Sequence, residues 1–138
     1  MTHQVSTEWV GKRAFDHQIQ DHIVRTDALE IQGGDNSGPS PKRLLLAGLT
    51  GCTAVDIVSI LDKMRVPIDS LRITAEADLG EEHPKVYTHI RMQYIVSGKN
   101  IDRTKVERAV KLSQEQYCGV AAMLRKNCPI DYTIEYLD

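Results

Sequence analysis

"SPKRLLLAGLTGCTAVDIVSILDKMRVP", residues 40–67, decides the fold. Ser40 followed by Pro41 is a helix start: a side-chain N-cap, then Pro at the first helical position. Pro67 stops the helix near Arg65, and Lys63 and Arg65 in its last turn suit the negative end of the dipole. Between these limits apolar residues fall on nearly every side. A sheet covers one face of such a helix, so a second helix or a second copy of the chain must cover the rest. Gly48 and Gly51 lie inside the helix, and each costs roughly 0.5–1 kcal/mol relative to alanine. With Ala47 and Ala54 they leave a thinned surface around Cys52, where a backbone or a substrate can approach. Residues 44–61 also reach the lower length limit for a membrane span, about 18 residues. Thr50, Thr53, Asp56 and Ser59 interrupt them, and an Asp near the centre is costly in lipid, so no span is expected.

Working outward, residues 4–26 alternate loosely and break at Gly11, Lys12 and Asp21, which predicts two or three strands of an antiparallel meander. "GGDNSGPSP" (33–41) is a loop. After the helix, Leu71, Ile73, Ala75, Ala77 and Leu79 share one face of a half-buried strand. "EEHP" turns the chain. Val86, Thr88, Ile90, Met92 and Tyr94 then alternate with Tyr87, His89, Arg91 and Gln93, completing a hairpin. Asp102 caps a second helix carrying Val106, Ala109, Val110, Ser113 and Tyr117 at helical spacing, which Gly119 ends or kinks. Ile130, Tyr132, Ile134 and Tyr136 mark a closing strand. The order βββ-α-ββ-α-β predicts an α+β fold, an antiparallel sheet around a long central helix, in a single domain spanning 1–138.

Seventeen basic and 19 acidic residues give a net charge of −2, with no basic run or aromatic platform, so nucleic acid is not an expected partner. The polar N-terminus lacks a signal-peptide core, which favours the cytoplasm. Three cysteines, an odd number, are no disulfide framework.

Cys52 and Cys118 carry the candidate chemistry. They stand 66 residues apart with no C-x-x-C, so only the fold can join them. The bland reading makes each a small buried hydrophobe, and Cys128, beside Pro129, is read that way. Asp56 lies one turn after Cys52 on the same helix face, and helical side chains lean toward the N-terminus, bringing its carboxylate toward the sulfur. A negative charge there raises a thiol pKa. Lys42 and Arg43 sit at a helix N-terminus against the dipole, which points to an anionic partner. His17, His22, His83 and His89 fit no zinc spacing and are read as surface residues.

"GPSPKRLLLAGLTGCTAVDIVSILDKMR" (38–65) with "VERAVKLSQEQYCGVAAML" (106–124), in this element order, resembles the OsmC/Ohr superfamily across essentially the whole chain. "GCTAVDIVSIL" and "HPKVYTHI" resemble its OsmC-like branch rather than Ohr proper. The resemblance implies an intertwined homodimer with two long helices back to back, and thiol-dependent reduction of organic hydroperoxides in oxidative or osmotic stress defence. Carried over by motif, Cys52 is peroxidatic and Cys118 resolving, with a thiol reductant to recycle them and no cofactor or metal. In Ohr-type members a Glu at the start of the long helix pairs with an Arg to stabilise the thiolate. Lys42 stands at the Glu position here, and Arg13 or Arg25 is the candidate counterpart of the Arg. Arg25, Lys42, Asp56 and Tyr117 are therefore the candidates for tuning the thiolate or touching a ligand. The competing reading is a redox-sensing or ligand-binding module, whose pocket takes a small apolar or carboxylated molecule with Lys42 or Arg25 at its charged end.

Overall fold

The computed structural model describes residues 1–137 and divides into two compact units after Leu46. In the first unit, β1 (Val5–Gly11), β2 (Ala14–Ile19) and β3 (His22–Thr26) form the expected antiparallel meander in sheet order β1-β2-β3. Trp9 and Ile23 of this sheet are largely exposed. The following loop closes on Asp27, whose buried carboxylate accepts from the backbone N–H of Ala28, Asp35 and Ser37 and from the Ser37 hydroxyl. A Cβ at Gly34 would collide with the Ala28 carbonyl, so this turn requires glycine. α1 (Pro41–Lys63) begins in this unit and continues into the second. At its start the Ser40 hydroxyl accepts from the Arg43 guanidinium at 2.8 Å.

The second unit carries β4 (Ser70–Leu79), β5 (Tyr87–Ser97), α2 (Arg103–Leu112), α3 (Gly119–Arg125) and β6 (Ile130–Leu137). The expected β4–β5 hairpin forms. β6 runs parallel to β5, because the chain returns to the sheet through a helical crossover rather than a turn. The fold is α+β, antiparallel except at this last strand. Asp102 caps α2 as expected, accepting from the Lys105 N–H.

Two phase errors in the sequence reading have local causes. Asp78 pairs with His89 but Leu79 pairs with Tyr87, leaving Thr88 as an extra residue in β5. That bulge inverts the alternation, so Tyr87 is buried while Val86 and Thr88 are exposed. Val106, Ala109, Val110 and Ser113 face the core as expected, but Tyr117 is 60% exposed. Residues Ser113–Tyr117 form one π-helical turn, whose wider winding rotates Tyr117 off the buried stripe.

α1 buries one stripe, Leu49, Thr53, Ile57 and Leu61, at four-residue spacing. Its length and composition suffice to cross a membrane, and 22% of its most apolar window is buried within the chain. Val55 and Val58 are 67% and 54% exposed. Added Cβ atoms at Gly48 and Gly51 would meet nothing within 4 Å. The helix is therefore not covered on every side by its own chain.

Candidate functional site

The fold joins what the sequence separates by 66 residues. One donor atom each from Cys52, Asp56 and Cys118 lie within 4.8 Å of one another. Cys52 and Asp56 share a face of α1 by their four-residue spacing. Cys118 arrives from the break between the π turn and α3, where its backbone is extended at φ −78° and ψ 99°. Its sulfur accepts from the Ala121 N–H at 3.4 Å. All three cysteines are free. Cys52 is half-buried, while Cys118 is 3% exposed.

Burial pushes the Cys118 thiol up to about 11, and the neighbouring Cys52 and the Asp56 carboxylate add to the rise. The Ala121 N–H opposes it. Cys118 is thus protonated at neutral pH, the unreactive form of a thiol.

Asp56 is held by a buried polar network. The Ser113 hydroxyl donates to Asp56 Oδ2 at 2.9 Å and exchanges a hydrogen bond with Thr53 Oγ1 at 2.7 Å. Thr53 in turn meets the Tyr94 hydroxyl at 2.8 Å, and Gln114 Nε2 donates to that hydroxyl at 2.5 Å. Arg125 closes the chain, donating to the Gln114 carbonyl and Oε1, each at 2.6 Å. Burial raises the Tyr94 hydroxyl above its ordinary value, so it stays a neutral donor and acceptor. No buried side-chain polar atom among the described residues lacks a partner. The network fixes the carboxylate beside the sulfurs, and its cation, Arg125, is engaged with Gln114.

Cys52, Cys118 and Asp56, all expected from the sequence, converge. Tyr117 precedes Cys118 but points its bulk largely into solvent. Arg25 lies on β3 in the first unit, where its guanidinium clasps both carboxylate oxygens of Asp16 at 2.6 and 3.0 Å. Lys42 occupies the first turn of α1. Thr53, Tyr94, Gln114 and Arg125 were not anticipated as site residues. The available signal was a Thr beside Cys52 and a Gln on the buried stripe of a helix, both polar groups in apolar company.

A family model described as OsmC-like protein matches residues 34–133, and Protein YhfA of Escherichia coli strain K12 is 36% identical over 138 residues, covering 96% of each chain. The chain belongs to the OsmC-like family. Among solved structures, a hypothetical protein from Aquifex aeolicus VF5 is similar to this OsmC-like chain with TM-score 0.84 and 28% identity, over 100% of this chain and 99% of the other. The organic hydroperoxide resistance protein OhrB of Bacillus subtilis is similar with TM-score 0.66 and 20% identity, over 98% of both chains. The OhrB likeness establishes a shared fold.

Proposed function

We propose that this OsmC-like protein is a thiol peroxidase for small organic hydroperoxides, with Cys52 peroxidatic and Cys118 resolving. The observation that carries the reading is the approach of the two sulfurs to within 4.8 Å from opposite ends of the unit's sequence. The Cys52 thiolate attacks the distal peroxide oxygen. The O–O bond breaks, an alcohol leaves after taking up a proton, and Cys52 becomes a sulfenic acid. Cys118 then attacks the Cys52 sulfur, hydroxide leaves as water on protonation, and a disulfide forms. An external dithiol reduces the disulfide and is itself oxidised.

The division of roles follows burial. Cys52 is the more accessible sulfur, and Cys118 is held protonated at neutral pH. Once Cys52 is a neutral sulfenic acid, it no longer sets a thiolate charge beside the Cys118 thiol, which favours the second step. Closing the disulfide brings the sulfurs to about 2.05 Å, which requires a local shift at the Cys118 break.

The same reading takes the two units as one functional domain, since the family match runs across their boundary. It also takes the working form as a cytoplasmic homodimer, with a second copy rather than lipid covering Val55, Val58 and the open surface at Gly48 and Gly51. The test is peroxide loss with cumene hydroperoxide and a dithiol reductant. Cys52→Ser should abolish turnover, and Cys118→Ser should accumulate a dimedone-reactive sulfenic acid on Cys52. Full consumption by Cys52→Ser would contradict the assignment and favour a ligand-binding module with the cysteines as lining.

A further inference from the structure

We propose that Cys52, Asp56 and Cys118 form a three-donor site for a zinc-class divalent cation, occupied in competition with thiol oxidation. Two sulfurs and one carboxylate oxygen are the donor set of a borderline-soft, tetrahedral ion, with a water in the fourth position. Around tetrahedral Zn²⁺, with Zn–S near 2.3 Å, two sulfurs sit about 3.8 Å apart. Since all three donors already lie within 4.8 Å of one another, closing the site takes side-chain adjustments of about 1 Å or less.

The surroundings are those of a ligand set. Ser113 donates to Asp56 Oδ2, orienting the carboxylate, and is itself fixed by Thr53, Tyr94 and Gln114. Such outer hydrogen bonds hold ligands in place in metal sites. A carboxylate has two oxygens and several lone pairs, so the Ser113 contact leaves donor capacity for a cation. Two thiolates beside a carboxylate repel one another, and Arg125, the cation of the buried network, donates to Gln114 rather than to Asp56 or a sulfur. A divalent ion supplies the positive charge at the donors themselves. Binding breaks no covalent bond except S–H: each protonated thiol gives its proton to the buffer as its sulfur takes up the metal. A metal-bound thiolate pair is not free to attack a peroxide or to form a disulfide. The inference is independent of turnover, since the pair binds the cation whether or not it reduces peroxides.

The sequence hid this set because the ligands come from α1 and from the break before α3, without a local spacing motif. The experiment is an anaerobic Co²⁺ titration of the reduced full-length chain, followed by Zn²⁺ displacement. The expected result is one Co²⁺ per chain, with thiolate-to-cobalt charge transfer in the near ultraviolet and tetrahedral d–d bands in the visible. Cys52→Ser and Cys118→Ser should each remove about half of the charge-transfer intensity, since each deletes one of the two thiolate ligands. Asp56→Asn should retain both sulfur bands but weaken affinity at least about 10-fold, and Ser113→Ala about 10- to 100-fold. Cys128→Ser should change nothing. Far-ultraviolet circular dichroism establishes that each variant is folded, and Cys52→Ser, at the half-buried position, carries the test if Cys118→Ser does not fold. Absence of charge-transfer bands in the folded parent protein overturns the proposal. So does their undiminished intensity in Cys52→Ser, their loss in Cys128→Ser, or an unchanged affinity in Asp56→Asn. Peroxide consumption is read separately, so failure of the metal site leaves the peroxidase test intact.

Discussion

At the scale of single residues, Cys118 and Asp27 show opposite titration behaviour. The Cys118 thiol is raised above its ordinary 9.0 to about 11, so the fold favours its neutral form. That stabilisation is fully present below the unfolded thiol value and is lost as pH rises from about 9 through about 11. Cys118→Ala should therefore flatten the alkaline fall in thermal stability, measured by a melting series against pH. An unchanged alkaline arm would contradict the assigned cause. Asp27 is held below the usual carboxylate range, first by the Ser37 hydroxyl and then by the Ser37 and Ala28 N–H groups. Its stabilisation is present above the unfolded carboxylate value of about 3.9 and is lost as pH falls below that. Asp27→Asn should lower the melting temperature at neutral pH and shallow the acid limb of the same series. Of these two residues the sequence made only one legible. Cys118 stood in a recognisable stretch, whereas Asp27 was one polar residue before a Gly-rich loop. Its importance comes from donors eight and ten positions later folding back onto it.

At the scale of elements, the core-facing stripe of α1 and the polar network against it hold the site in register. Leu49 and Ile57 are fully buried, so Leu49→Ala or Ile57→Ala should cost about 2–5 kcal/mol in denaturant unfolding. Thr53→Val keeps the volume but removes one hydrogen bond each from the buried Tyr94 and Ser113 hydroxyls, at a cost of about 1–3 kcal/mol. Gly51 gives the sharper contrast. A side chain there meets open space within the chain, so Gly51→Leu should keep or raise stability by up to about 1 kcal/mol. In the proposed dimer the same change intrudes on a second copy, and sedimentation should show a monomer. A variant that remains dimeric would place the interface elsewhere. Helix starts, stops and the hairpin were legible because Pro, Asp caps and period-two alternation act locally. The Thr88 bulge and the π turn were not. Each inserts a residue whose accommodation depends on the partner strand or on the break at Cys118, and each flips or rotates the residues beyond it. The parallel placement of β6 likewise follows from the crossover, which periodicity does not encode.

At the scale of the whole molecule, family membership fixes the fold, and the chemistry rests on what this chain places around its two sulfurs. The surroundings are anionic and polar: Asp56 close by, Ser113 and Thr53 behind it. The resemblance supplied the roles of Cys52 and Cys118, and the residue-by-residue reading supplied Asp56. Neither supplied the network that orients Asp56, because its members are scattered over α1, β5, the π turn and α3. The central claim is that the two sulfurs act as a peroxide-reducing pair. The most direct measurement adds one equivalent of cumene hydroperoxide to the fully reduced chain, blocks the remaining thiols and maps the product by peptide mass spectrometry. The expected result is loss of two thiols, a Cys52–Cys118 disulfide within one chain, and Cys128 alkylated as a free thiol. Retention of all three thiols, or a bridge to Cys128, would contradict the claim.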